Sequence, residues 1–189
     1  AIIATGMKAK VHIVDKSEVR LKQLVEIFGK KIIPEQSDKI DLNMLVAEAD
    51  LIVGGVLIPG AEAPKLVTKD MIKSMKRGSV IVDVAIDQGG CVETSKPTTH
   101  GDPTFMVDDV VHYCVANMPG GVPRTSTIAL NQATLPYLVR LANKGYQKAL
   151  SEDKNFLAGL NVHKGHVTYK AVADIFGHQY VDPGEAIKN

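Results

Sequence analysis

The sequence predicts an α/β fold built on a doubly wound parallel sheet. Between residues 10 and 116, short β-branched runs alternate with stretches of helical period. The turns between them are short, as repeated strand–helix units require. Three of the runs, LIVGGV, SVIVDVA and VVHYCVA, are continuously apolar or nearly so, the pattern of strands buried on both faces.

Each element follows from local signals. Lys10 to Val14 (KVHIV) is a strand ending at Asp15. Ser17 to Phe28 sets Val19, Leu21, Leu24, Val25 and Phe28 mostly at helical spacing, and Gly29 stops it. Lys31 to Ile33 is a short strand closed by Pro34, and Asp41 caps a short helix carrying Leu42, Leu45 and Val46. Leu51 to Val56 is the next strand. After the loop LIPGAEAPK, Thr68 opens a helix with Met71, Ile72 and Met75 inward, ended by Gly78. Ser79 to Ala85 and Val110 to Ala116 complete the strands.

From Thr125 the texture changes. Ser126 to Asn143 is a long helical pattern in which Pro136 predicts a kink or break. Beyond Gly145 the chain is polar and mostly helical, and Val167, Ala171, Val172 and Ile175 predict one apolar face. The division expected is therefore a sheet domain over 1–122 and a helical segment over 123–189.

Composition narrows the function. Hydrophobic residues make up 45% and charged residues 23%, with 22 Lys and Arg against 21 Asp and Glu, so nothing favours a nucleic-acid partner. No apolar run approaches the ~20 residues of a membrane-spanning helix, and AIIATGMKAK lacks the layout of a signal peptide. Cys91 and Cys114 stand apart without a CxxC pairing and read as reduced thiols of a cytoplasmic protein. His163 and His166 form an HxxH with no further ligands at workable spacing.

Asp15 is the first residue with a chemical reading. In a dinucleotide-binding sheet the second strand ends in an acid that accepts from the adenosine ribose hydroxyls. The glycine-rich phosphate loop lies ~20 residues before that acid, which falls ahead of Ala1. Ala1 to Lys8 then reads as the end of the helix after that loop. The expectation is a Rossmann-like domain whose first, central strand precedes residue 1, within one portion of a longer polypeptide that is inactive alone. A helix cap or turn is the other role open to Asp15.

Three loops leave the carboxyl ends of predicted strands, where such sheets hold ligand. In Gly54 to Lys65, two glycines admit a nucleotide close to the backbone, and Val56 and Leu57 can cover it; a plain turn fits the spacing equally. In Val82 to Cys91, Asp87 can orient an ammonia-derived group or stabilise positive charge, or simply form the turn, while Asp83 lies within the strand as a structural residue. In Val115 to Thr127, Asn117 suits a nicotinamide amide or a substrate, and Arg124 suits a carboxylate or is simply a surface residue beside a helix start.

Ala63 to Phe105, with AIDQGG, and Val110 to Gly145, with HYCVANMP, resemble the corresponding stretches of bacterial alanine dehydrogenases, and the likeness extends to GHVTYKAVADIFG. The resemblance implies NAD as cofactor and reversible oxidative deamination of L-alanine to pyruvate and ammonia. It implies Asp15 at the ribose, Arg20 near it where some members carry Lys, and Ser37 on the adenine side. Val56 and Leu57 then line the cofactor, Val84 lies beside the nicotinamide, and Asn117 and Met118 belong to the nicotinamide-side loop. Asp87 matches the catalytic aspartate. The catalytic histidine and the Arg and Lys that hold pyruvate precede Ala1 in that family, the tail returns to the substrate domain, and the assembly implied is a homohexamer. The NAD(H)-binding subunit of proton-translocating transhydrogenase shares part of the pattern. A catalytically silent nucleotide-binding fragment is the third reading.

Overall fold

A computed structural model describes residues 1–60 and 62–188; Ala61, inside the Gly54 to Lys65 loop, and Asn189 lie outside the described residues. The chain opens with a short helix α1 (Ile2–Gly6) and then runs β1 (Val11–Asp15), α2 (Glu18–Phe28), β2 (Ile32–Gln36), α3 (Leu42–Glu48), β3 (Leu51–Gly54), α4 (Lys69–Lys73) and β4 (Val80–Asp83). A 3-10 turn over Val84–Gln88 follows, then β5 (Thr104–Val107), β6 (Val110–Tyr113) and a second 3-10 turn over Met118–Gly121. The remainder is α5 (Pro123–Lys144), α6 (Tyr146–Ser151), α7 (Lys154–Leu157), the strands β7 (Val162–His163) and β8 (His166–Val167), α8 (Lys170–Phe176) and α9 (Pro183–Ala186).

The strands β1 to β6 form two ladders that share no pairing, and β7 pairs antiparallel with β8 in a separate hairpin. β1 pairs with β2, and β3, β4 and β6 pair in that order, with β5 antiparallel on the outer edge of β6. The α/β fold with a parallel-dominated sheet is as the sequence predicts. The helix starts are too, and each is a cap: Ser17 accepts from the Arg20 N–H, Asp41 from Asn43 and Thr68 from Met71.

Several details differ. β3 ends at Gly54 rather than Val56, and it is not buried on both faces: Leu51 is 55% and Val53 61% exposed. The reason is that only the Ile52 face meets the core, and the face carrying Leu51 and Val53 is left open. β2 runs through Pro34 instead of stopping there, because an edge strand can turn a missing N–H away from its partner. Pro136 does not break α5, which is continuous over 22 residues. Gln132, whose carbonyl loses its partner at Pro136, is exposed, so its carbonyl is open to solvent. In α8 the buried residue is Ala173, and Ile175 faces solvent; a two-turn helix shows the body only a narrow stripe.

The core lies between the four-stranded ladder and α3 and α4. Val46, Val67, Ile72, Met75, Ile81, Val92 and Val110 form it, with Leu42, Ile52, Val56 and Met71 against its margin. Burying a side chain of this size stabilises by about 1.5–3 kcal/mol, so this cluster is what fixes β3 and β4 side by side. No described helix is long and apolar enough to cross a membrane.

Candidate active site

Parallel strands send their carboxyl ends to one edge of a sheet, and the sequence-predicted residues occupy those ends. In the first ladder Asp15 is the last residue of β1, and its carbonyl accepts from the Ser37 N–H at 3.1 Å. Its carboxylate accepts from the Ser17 N–H at 2.7 Å, which orients it at the mouth of α2. The turn-forming role and an acceptor role therefore coexist in one side chain. Arg20 does not reach toward Asp15; its guanidinium donates along α2 to Gln23 at 3.1 Å.

In the second ladder the β3 loop divides by residue. Gly54 is pressed against protein: a Cβ there would stand 2.3 Å from the Cys91 sulfur. Its bareness serves packing, which corrects the expectation that both glycines admit a ligand. Gly55 has open space at that position and keeps that role available. Val56 tucks its side chain toward the core, while Leu57 is exposed.

The β4 loop is built around Asp83, which has no exposed surface. One carboxylate oxygen accepts from the Ala85 N–H at 3.1 Å; the other accepts from Cys91 N–H at 3.0 Å, Val92 N–H at 3.1 Å and the Ser95 hydroxyl at 2.7 Å. Between these anchors the 3-10 turn carries Val84 and Asp87 to the surface, both exposed. Gly89 and Gly90 close it at φ of +86° and +76°, conformations that favour glycine. The β3 loop is stitched to it: Ala63 N–H donates to the Gln88 carbonyl at 2.9 Å, and Lys65 Nζ donates to the carbonyls of Gly89 and Gly90.

Beside this loop, burial and the Asp83 charge push the Cys91 thiol up to about 11, and burial raises Cys114. Both are unreactive neutral thiols at ordinary pH. Burial holds the His112 imidazole below its usual range. With Nδ1 bonded to the Val110 carbonyl, Nε2 accepts from the Thr94 hydroxyl at 2.8 Å, and the ring stacks on Phe105 at 5.0 Å. His112 thus braces β6 on β5.

At the end of β6, Asn117 adopts the left-handed conformation with φ of +55°, uncommon outside glycine. Its carbonyl takes two donors, His100 Nε2 at 3.0 Å and the Gly120 N–H at 2.8 Å. The bend leaves the Asn117 side chain exposed at the same edge as Val84 and Asp87, with Met118 half-buried behind it. Thus Val56, Leu57, Val84, Asp87, Asn117 and Met118 gather on the carboxyl edge of one ladder, and Asp15 and Ser37 on that of the other.

The family described as "Alanine dehydrogenase/PNT, C-terminal domain" matches residues 1–170. The chain belongs to this family. It is 58% identical over 187 residues to an alanine dehydrogenase of Halomonas elongata, covering 99% of this chain and 50% of that one. It is 54% identical over 189 residues to alanine dehydrogenase 2 of Staphylococcus aureus, covering 100% of this chain and 51% of that protein. The chain spans about half the length of the curated relatives it matches. Among solved structures, an L-alanine dehydrogenase superposes with TM-score 0.80 at 49% identity, over 93% of this chain and 48% of that one. A transhydrogenase from Sinorhizobium meliloti superposes with TM-score 0.56 at 29% identity, over 67% and 36%.

Within this C-terminal domain of the alanine dehydrogenase/PNT family, sequence reasoning missed how Asp83 and Lys65 build the site. A signal existed for Asp83, because an acid inside an otherwise apolar strand must find donors nearby, and Ser95 with the Gly89–Gly90 turn supplies the means. Lys65 gave none, since a lysine after Ala-Pro reads as a surface residue.

Proposed function

We propose that this chain is the NAD-binding portion of an L-alanine dehydrogenase, whose complete polypeptide interconverts L-alanine with pyruvate and ammonia. The observation that carries the reading is the likeness to alanine dehydrogenases over essentially the whole chain, at 58% and 54% identity. It falls to 29% over two thirds of the chain for the transhydrogenase.

The residues present fit a dinucleotide. An oriented carboxylate at the end of β1 suits ribose hydroxyls. The open space above Gly55 suits a close backbone approach, and exposed Leu57 and Val84 offer apolar surface for a flat ring. Asp15 and Ser37 then hold the adenosine end, with Arg20 beside it, while Val56, Leu57, Val84, Asn117 and Met118 line the nicotinamide end. NAD held there would supply the acceptor for the hydride that leaves the alanine α-carbon. Asp87, exposed at the tip of its turn, faces the positive charge that develops on the substrate nitrogen and stabilises it.

The division into a sheet domain over 1–122 and a helical segment over 123–189 fits this role. α5 has no buried residue, so its apolar side chains await a covering surface, for which we favour the substrate domain and partner subunits of a homohexamer. Two free, buried thiols suit the reducing cytoplasm. The test is a substrate panel on the complete polypeptide. Pyruvate formed from L-alanine and NAD supports the reading; hydride exchange between nicotinamide dinucleotides, with no use of alanine, overturns it in favour of a transhydrogenase.

A further inference from the structure

Asp87 owes its position to a loop whose two feet are fastened to one buried group. Asp83 ends β4 directly opposite Gly54 in the ladder register. Its carboxylate caps the first turn of the loop through the Ala85 N–H, and it also receives the returning strand through the Cys91 and Val92 N–H groups and the Ser95 hydroxyl. The Cys91 thiol adds a fifth donor at 3.5 Å. A charge with no exposed surface is tolerable only with such a donor set.

The neighbourhood is shaped to this carboxylate. A Cβ on Gly90 would stand 2.8 Å from its oxygen, and one on Gly54 would displace the Cys91 thiol that points at it. The span from Val84 to Gly90 is thus a loop whose two feet meet at one side chain and which its own backbone closes, through the Gly90 N–H to the Ala85 carbonyl at 2.9 Å, with Asp87 near its apex. On its outer side it meets the neighbouring loop through the Ala63 and Lys65 hydrogen bonds above and through the Glu62 side chain, which lies against Gly89.

We propose that Asp83 is a positioning residue for the reaction: it acts through the loop, fixing the Asp87 carboxylate relative to the cofactor face without touching substrate. The inference rests on the functional reading above. Replacing Asp83 by Asn converts one acceptor into an N–H donor. That donor would either face the Ala85 N–H or confront the Cys91 and Val92 N–H groups. Either way one foot of the loop loses its anchor.

The test uses the complete polypeptide carrying Asp83→Asn or, as the milder change that leaves the charge in place, Ser95→Ala. For Asp83→Asn, kcat for alanine falls by about 10²-fold, the scale of a misplacement near 1 Å, and Ser95→Ala loses less. NADH affinity, read from the fluorescence of the bound nucleotide, changes far less than kcat in both. Crystal structures of the variants show the Val84–Gly90 loop shifted. If Asp83→Asn does not fold, Ser95→Ala decides alone. Folded variants with wild-type kcat and an unmoved Asp87 overturn the proposal, and so does a loss of NADH affinity as large as the loss of kcat. A wild-type protein inert toward alanine defeats the functional reading instead; the position of Asp87 in the variant structures then still decides the positioning role.

Discussion

Gly54 and Cys91 are in contact so close that any side chain at 54 must displace the sulfur: a Cβ added to the glycine would stand 2.3 Å from it. The contact fastens β3 to the loop that returns after Asp87. Gly54→Ala in the complete polypeptide therefore destabilises by about 1–3 kcal/mol through overpacking. Cys91→Ala opens the space, so the double variant recovers part of the loss. Melting temperatures of the four proteins check this, with a coupling of at least about 0.5 kcal/mol expected between contacting residues.

Asp15 carries the cofactor preference. The Ser17 N–H holds its carboxylate at 2.7 Å, where it accepts from free ribose hydroxyls and repels a 2′-phosphate. Asp15→Ala narrows the ratio of kcat/KM for NAD over its 2′-phosphorylated relative. An unchanged ratio would remove Asp15 from the ribose site.

His112 makes stability depend on pH. Burial lowers its pKa below the ordinary 6.5, so the unfolded chain binds the proton first. The sign follows: its contribution is constant above that value and turns unfavourable as pH falls through it. The melting temperature drops between about pH 7 and about pH 5, and His112→Gln, which cannot titrate, flattens that part of the curve.

α5 presents Ile128, Leu135 and Val139 on one exposed face at helical spacing, while Tyr137 turns the other way to meet Phe156 at 5.2 Å. If the open face is covered in the complete protein, Leu135→Glu weakens its assembly or lowers its melting temperature by several degrees, as burying an unpaired charge does. A variant indistinguishable from wild type in both would leave the face solvent-exposed.

The parallel strands and the helix starts were legible because they are written in nearby residues: Ser17, Asp41 and Thr68 sit at the caps they form. What stayed hidden depends on residues distant in the chain. Asp83 looks like any strand acid until Cys91, Val92 and Ser95 return to it. Gly54 looks like a ligand-facing glycine until Cys91 fills its space. β5 was missed because TFMV lies in a polar loop and pairs antiparallel to the parallel strands, and Pro136 does not break α5 because an exposed helix can give water the bond it loses.

Asp87 is the residue on which the proposed reaction turns. It stands on the exposed turn after β4, with its loop anchored from beneath by Asp83 and from the side by Lys65. Asp87→Asn keeps the size of the side chain and removes its charge. The decisive measurement is kcat for L-alanine deamination by the complete polypeptide, paired with NADH affinity for the same variant. A fall in kcat of roughly 10²-fold or more is expected, with NADH affinity little changed. Turnover near the wild-type rate would leave Asp87 a turn residue and contradict the assignment of the reaction to this edge of the sheet.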